Sequence, residues 1–240
     1  MRREAAKMIL NENRESYNNM ASEFSATRAK FWEELEFLAE HATPGMQVLD
    51  IGCGNGRFYP LMKARDVGYT GVDNSAGLLD EARRAFPHIA FVDGDATQLP
   101  FPDRSYDIAY SFATLHHVPS RTLREKFVQE AARVLKPGSV FILTVWELWT
   151  PKYFGKLLRD ALRGILGFSS LDIGDVMLTF GNKKHKRYLH AFTTPELVTL
   201  LEKNGFTVVG TDIASRPTPK SGKNGEKNIV IIARKKQKSL

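Results

Sequence analysis

Asp50, glycines at alternate positions 52, 54 and 56, and further carboxylates at 73 and 95 are the first residues whose types and spacing could do chemistry. In "VLDIGCGNGRF" four strand-forming residues run into Gly52, Gly54 and Gly56. A glycine-rich turn between strand and helix admits a ligand against bare backbone, because glycine alone tolerates left-handed dihedrals and has no side chain to block the approach. The strict alternation departs from the G-x-G-x-x-G spacing that seats a dinucleotide, and no Lys-Ser or Lys-Thr pair follows to make a triphosphate loop. Asp73 lies 73 − 52 = 21 positions beyond the first glycine, where an acid ending a second strand accepts from ribose hydroxyls. Asp95 in "DGDATQLPF" is placed to accept from an adenine amino group, with the backbone N–H of Ala96 facing a ring nitrogen. The implied ligand is nucleoside-like.

Short apolar strands must carry these residues: "MQVLDI" (46 to 51), "YTGVD" (69 to 73), "IAFVD" (89 to 93), "YDIAYSF" (106 to 112) and "SVFILTVW" (139 to 146). Helical patterns separate most of them. Ser75 caps "AGLLDEARRAF", and Thr122 with Glu125 fits a capping box before "KFVQEAARVLKPG", which Pro137-Gly138 stops. Alternating strand and helix implies a doubly wound α/β sheet of parallel strands with helices on both faces. Thr194-Pro195 opens a later helix that Gly205 closes, and "FTVVGTDI" and "NIVIIAR" supply two more strands. One domain is expected over residues 1 to 240: an N-terminal helical segment 1–45, a core of 46–147 and 193–234, a helical insertion 148–192 after the fifth strand, and a disordered basic tail 235–240. Ligands of an open parallel sheet bind beyond the carboxyl ends of its strands, the rim that also carries His116, His117 and the insertion.

Composition narrows the class. A chain of 240 residues with 42% hydrophobic and 25% charged residues is globular, and no apolar run approaches the roughly 20 residues needed to span a bilayer. A single cysteine, Cys53, forms no internal disulfide, and the first residues lack an apolar signal core, so a reducing, cytoplasmic setting is expected. Cys53 itself reads as small packing beside the loop. The net charge of +7 is local: residues 183 to 240 hold 13 Lys+Arg and 4 Asp+Glu, giving +9, so residues 1 to 182 hold 34 − 13 = 21 and 27 − 4 = 23, giving −2. Such segregation fits a polyanion partner or a solvated tail. Adjacent histidines without i, i+4 spacing and without a cysteine cluster make no metal site, so no metal is expected.

With these motifs in order, the chain resembles the class I S-adenosylmethionine-dependent methyltransferases over about residues 46 to 146, from "VLDIGCGNG" through "GVDNS", "DGDATQLPF" and "SYDIAYSFATLHHV" to "VLKPGSVFILTV". The resemblance implies a Rossmann-like seven-stranded sheet, mostly parallel with an antiparallel last strand, and S-adenosylmethionine as cofactor. It places Asp50 and the Gly52, Gly54, Gly56 loop around the methionine part, Asp73 at the ribose and Asp95 with Ala96 at the adenine; Asn74 and Ser111 join this set. A narrower resemblance rests on "YNNMASEFSATRAKFW", "LHHV" and "RYLHAF". These patches are similar to the tRNA methyltransferases that esterify a carboxymethyl group on wobble uridine, a family including the domain attached to AlkB-type hydroxylases. That implies tRNA as substrate and a small activating protein subunit as partner.

Transfer from a sulfonium is an in-line displacement, so alignment and exclusion of water are the main tasks. A carboxylate nucleophile is already ionised at neutral pH, and an arginine fork can orient it. Arg28 or Arg187 is expected in that role, with Tyr188, His116, His117 and His190 shaping the uridine pocket. Trp32, Trp146 and Trp149 could stack on a base; Trp146 reads as core. Lys152, Lys156, Arg159, Lys183, Lys184, Lys186, Lys220 and Lys223 are expected to meet phosphates, with no membrane partner. "KYFGKLLRDALRGILGF" is an amphipathic basic helix with three open readings: a lid with a phosphate-facing stripe, a membrane-surface helix, or a packed helix with solvated charges. A small-molecule methyltransferase acting on a quinone precursor or other metabolite is the alternative function, and a cofactor-cleft module that only binds is a third.

Overall fold

The computed structural model describes residues 1–180, 185–215 and 227–237. Its main sheet has seven strands: β1 (Gln47–Ile51), β2 (Gly68–Asp73), β3 (Ala90–Asp93), β4 (Tyr106–Phe112), β5 (Leu135–Trp146), β8 (Phe206–Ser215) and β9 (Lys227–Lys235), in the order β3-β2-β1-β4-β5-β9-β8. The first five pair in parallel, and β9 runs antiparallel to both β5 and β8. This is the Rossmann-like seven-stranded sheet expected from the sequence, mostly parallel with its last strand reversed. Alternate residues of each strand feed opposite layers: Leu49, Ala109, Phe141 and Leu143 enter one core, Val48, Ile108, Tyr110 and Ile142 the other. Both faces are therefore covered, and the strands read as nearly continuous apolar runs.

Helices α4 (Arg121–Val134) and α6 (Thr194–Lys203) cover one face. Phe127, Val128 and Ala131 of α4 and Leu197 and Leu201 of α6 enter its core. A 3-10 segment (Glu33–His41), the short α2 (Tyr59–Lys63) and α3 (Ala76–Ala85) cover the other. Ser75 caps α3 as expected, its hydroxyl accepting from Leu78 N at 3.3 Å. The cap of α4 is Ser120, which accepts from Leu123 N, and not Thr122; Glu125 instead pairs with Arg121 one turn back. The helix also ends at Val134, before Pro137-Gly138, because Leu135 already belongs to β5. Lys235 completes β9 and Lys236 N donates to Gly205 O, so the ordered sheet reaches into the stretch expected to be a loose tail.

The insertion holds the expected helix, α5 (Pro151–Ile165), and in addition a hairpin of β6 (Asp175–Phe180) and β7 (His185–His190). The hairpin escapes a period-two search because much of what it buries is polar: Asp175, Arg187, Tyr188 and His190. Asp175 Oδ1 accepts from Tyr188 Oη at 2.5 Å and lies 2.7 Å from His190 Nδ1, while His190 Nε2 lies 2.9 Å from Glu196 Oε1 on α6. Arg124 of α4 donates to Tyr188 Oη at 3.4 Å. Both imidazole nitrogens face carboxylate oxygens, a set that only the doubly protonated ring satisfies.

Burial alone would lower the His190 pKa, but hydrogen bonds to Asp175 and Glu196 carry it above its ordinary value. A histidine raised on folding stabilises fully below its unfolded pKa, about 6.5, and that contribution is lost as pH rises through the folded value. Denaturant melts of the parent and His190→Asn should therefore differ most at pH 5.5 and converge at alkaline pH. A constant difference would contradict the ionised cluster.

Candidate active site

One cavity opens at the carboxyl ends of the parallel strands, beneath the long N-terminal helix α1 (Arg3–Thr27). Its floor is the glycine loop. Gly52, Gly54 and Gly56 have φ of +79°, +54° and +74°. A Cβ on Gly52 would sit 2.2 Å from Thr114 Oγ1, and one on Gly56 would sit 2.7 Å from the Phe91 ring. Packing and dihedral thus both demand glycine there. At Gly54 the nearest atom to such a Cβ is 3.9 Å away, so bare peptide meets open space. Asp73 Oδ2 accepts from Gly54 N and its Oδ1 from Ser75 N, both at 2.9 Å, which ties the end of β2 to the loop.

Asp50, Asp73, Asn74, Asp95 and Ala96 all line this cavity with Gly52 and Gly54; Gly56, expected among them, packs against Phe91 and Ala82 and does not line it. Asp50 is buried, and Tyr69 Oη donates to its Oδ2 at 2.7 Å. Burial raises its pKa to about 7, with the nearby Asp73 adding to the rise, while the Tyr69 hydrogen bond and Arg57 oppose it. Burial also raises Asp73, against the N–H groups that hold it. Asp95 is exposed and accepts from Thr97 N and Oγ1, both bonds falling on Oδ1. Ser111 is elsewhere: fully buried beneath the loop, it donates to Ile51 O and does not line the cavity.

The substrate side is built by α1, the residues after it and β7. Arg14, Arg28, Arg57 and Arg187 line the cavity. The Arg57 guanidinium lies 3.6 Å from the Trp32 ring centroid, and that of Arg187 lies 4.4 Å from Trp146. Arg187 Nη1 donates to Tyr17 Oη at 3.4 Å, and Tyr17 Oη lies 2.9 Å from His117 Nε2. His117 Nδ1 faces Tyr188 O at 3.0 Å, so that nitrogen carries the proton and Nε2 accepts from Tyr17. Burial, with Arg187 beside it, pushes the His117 pKa down to about 3 and keeps the ring neutral. Asn13 completes the tie, accepting from Tyr188 N at 2.8 Å and donating to His117 O.

Of the expected substrate residues, Arg28 and Arg187 line the cavity, as does His117. His116, Tyr188 and His190 do not: His116 is fully buried against Trp146 and accepts from Trp146 N, and the other two belong to the buried carboxylate cluster. Trp32 lines the cavity, and so does Trp146, which had read as core; Trp149 lies outside and donates to Ala191 O. Arg57 and Tyr17 had no assigned role. Arg57 follows the last loop glycine without any further pattern, whereas Tyr17 stands first in "YxxxAxxF", a signal present in the sequence. Lys152, Lys156 and Arg159 on α5 and Lys186 on β7 lie outside the cavity lining, and Lys183, Lys184, Lys220 and Lys223 lie outside the described residues. No group of three metal-ligating side chains occurs among the described residues, and no helix among them is long and apolar enough to cross a membrane.

Comparison with known proteins agrees with this geometry. A family model described as a methyltransferase domain matches residues 49–143. A provisionally named methyltransferase of Encephalitozoon cuniculi is 36% identical over 197 residues, covering 80% of this chain and 86% of its own length. The mouse tRNA (carboxymethyluridine(34)-5-O)-methyltransferase ALKBH8 is 35% identical over 133 residues, 55% of this chain but only 19% of that protein. A crystal structure of an S-adenosylmethionine-dependent methyltransferase from Methanosarcina mazei shares the fold, with TM-score 0.74 and 24% identity over 87% of this chain and all of the other. The chain belongs to the class I S-adenosylmethionine-dependent methyltransferases. Its cofactor is S-adenosylmethionine, and the residues fit it: open backbone at Gly54, carboxylates at the ends of β1 and β2, and the Asp95 turn after β3 share one cavity.

A buried acid whose pKa rises on folding costs stability as pH climbs from its unfolded value, near 3.8, to its folded one, about 7. Asp50→Asn should therefore stabilise the cofactor-free protein, by about 2 to 3 kcal/mol more at pH 8 than at pH 5. Denaturant melts measure this, and calorimetry at pH 8 should show weaker S-adenosylmethionine binding by the same variant. A stability gain independent of pH would refute the buried, titrating carboxylate.

Proposed function

We propose that the chain methylates the carboxylate of a carboxymethyl group on a tRNA wobble uridine. The observation that carries this reading is the convergence of Arg14, Arg28, Arg57 and Arg187 on the cavity that holds the cofactor cradle. Four cations at one mouth suit an anionic substrate. The mouse relative, whose name states this reaction, supports the same chemistry, and the chain spans a fifth of its length. A small activating subunit belongs to the proposal on the strength of the sequence resemblance.

S-adenosylmethionine supplies an electrophilic methyl group on a sulfonium. The residues around it would then have three tasks. Asp50, the Gly54 peptide, Asp73 and Asp95 hold the cofactor; an arginine fork from Arg28 and Arg187 aligns the carboxylate; Phe24, Phe31, Trp32 and Trp146 exclude water. No general base is needed, since a carboxylate of pKa about 4 is ionised at neutral pH. His117 fits that chemistry as a positioning residue: neutral and bonded at both nitrogens, it holds Tyr17 under the Arg187 guanidinium.

A small acidic metabolite is the second reading, favoured by the aromatic wall that closes the cavity under α1. Salt separates the two, because binding of a polyanion weakens steeply with ionic strength. Incubation with labelled cofactor and total tRNA, followed by nucleoside mass analysis, should place the label in a uridine ester. Arg28→Ala and Arg187→Ala should each lower kcat/KM for tRNA by about 10- to 100-fold, the loss of one or two charge-assisted hydrogen bonds. Wild-type rates in both, or label found only in small metabolites, would overturn the assignment.

A further inference from the structure

Helix α5 has three faces, which follow from a step of about 100° per residue. Tyr153, Leu157, Asp160 and Gly164 form the inner face: Leu157 packs with Val176 and Leu178 of β6, and Asp160 is buried. Lys152, Lys156, Arg159 and Arg163 form a cationic face. Between them Phe154, Leu158, Leu162 and Ile165 make a third face that touches solvent, from 49% exposed at Leu162 to 68% at Ile165. Beyond the helix, Leu166, Phe168 and Ile173 are likewise each at least 66% exposed. Seven large apolar side chains in one short segment exceed the scattered exposure usual on a soluble surface.

Three occupants fail on charge or geometry. The stripe is not a lid already closed on the active site, because none of its residues lines the cavity and the inner face of α5 is committed to β6. A second copy would set the four cations of one helix against the same four of its partner; the only acid of the helix, Asp160, is buried and bonded by Arg159. Asp172, beyond the helix, is held by the amino group of Met1. RNA would use the cations, but aliphatic leucine and isoleucine give bases nothing to stack on. An apolar strip bordered by lysine and arginine, with no exposed acid on α5 itself and the nearby Asp172 paired to the Met1 amino group, matches a surface apolar beneath and anionic above.

We propose that α5 and the segment following it dock the protein, in the plane of the headgroups, on an anionic lipid surface. Phe154, Leu158, Leu162, Ile165, Leu166, Phe168 and Ile173 would enter the acyl boundary while Lys152, Lys156, Arg159 and Arg163 remain among the headgroups. The site is peripheral, and α5 is too short to span a bilayer.

Flotation of the full chain with vesicles tests this directly, using phosphatidylcholine alone and an equal mixture of phosphatidylcholine and phosphatidylserine. The protein should float with the mixed vesicles and only weakly with phosphatidylcholine. Leu158→Ser combined with Leu162→Ser should weaken partitioning at least about tenfold, because two apolar side chains lose their burial. Lys152→Glu with Lys156→Glu should abolish the preference for phosphatidylserine. Calorimetry with S-adenosylmethionine checks that each variant folds, since these residues lie outside the cavity. No flotation with either vesicle, or flotation unchanged by the paired leucine substitution, overturns the proposal. So does a dimer that disappears in the leucine variant, or tRNA affinity that falls with the leucines while flotation does not.

Discussion

Between β1 and α2 the backbone is forced into left-handed dihedrals at three alternate glycines, and the N–H of the middle one is held by a carboxylate from the neighbouring strand. That hydrogen bond, Gly54 N to Asp73 Oδ2, fixes the loop against the end of β2 and leaves peptide as the cavity floor. Everything else in the site is arranged around that exposed backbone. The parallel strands bring Asp50, Asp73 and the Asp95 turn to one rim because they share a direction, and the two apolar layers hold the strands in register. A protein that lost the loop geometry would retain the sheet yet have nowhere to seat the cofactor.

The other half of the site depends on a buried polar structure. The hairpin that delivers Arg187 is anchored by Asp175, Tyr188, His190, Glu196 and Arg124, drawn from the insertion and from two core helices. Groups of this kind are costly to bury alone and strongly directional when paired. Their geometry fixes the position of β7, and β7 in turn sets the Tyr188 carbonyl that orients His117 and the Arg187 guanidinium above Trp146. The Arg187 side of the cavity therefore inherits its position from a cluster buried except at Glu196, whose side chain reaches solvent.

How far the sequence revealed this follows from where each partner lies. The glycine spacing, Asp73 and Asp95 were legible because they depend on strand ends and local turns, properties of a short stretch of chain. So was the sheet order's reversed last strand, through the family resemblance. His116 and His117 could not be told apart by type or position, since one short 3-10 turn sends one ring into the core and the other to the cavity. Tyr188 and His190 looked like substrate contacts because they stand in the "RYLHAF" patch that carries the narrower resemblance; their partners lie 13 and 15 residues back at Asp175 and on two distant helices. The hairpin itself was hidden for the same reason, its inward positions being polar. Thr122 lost the helix cap to Ser120, whose positive φ begins the helix two residues earlier than the box pattern suggested.

The roof over the cavity is a single helix stitched down at both ends of the ligand pair. Asn18 of α1 accepts from Ser75 Oγ and Gly77 N beside the cofactor loop, while Asn13 and Tyr17 bond to Tyr188 and His117 on the substrate side. One helix thus covers both halves of the cavity, so displacing it would uncover the cofactor cradle and the substrate side together.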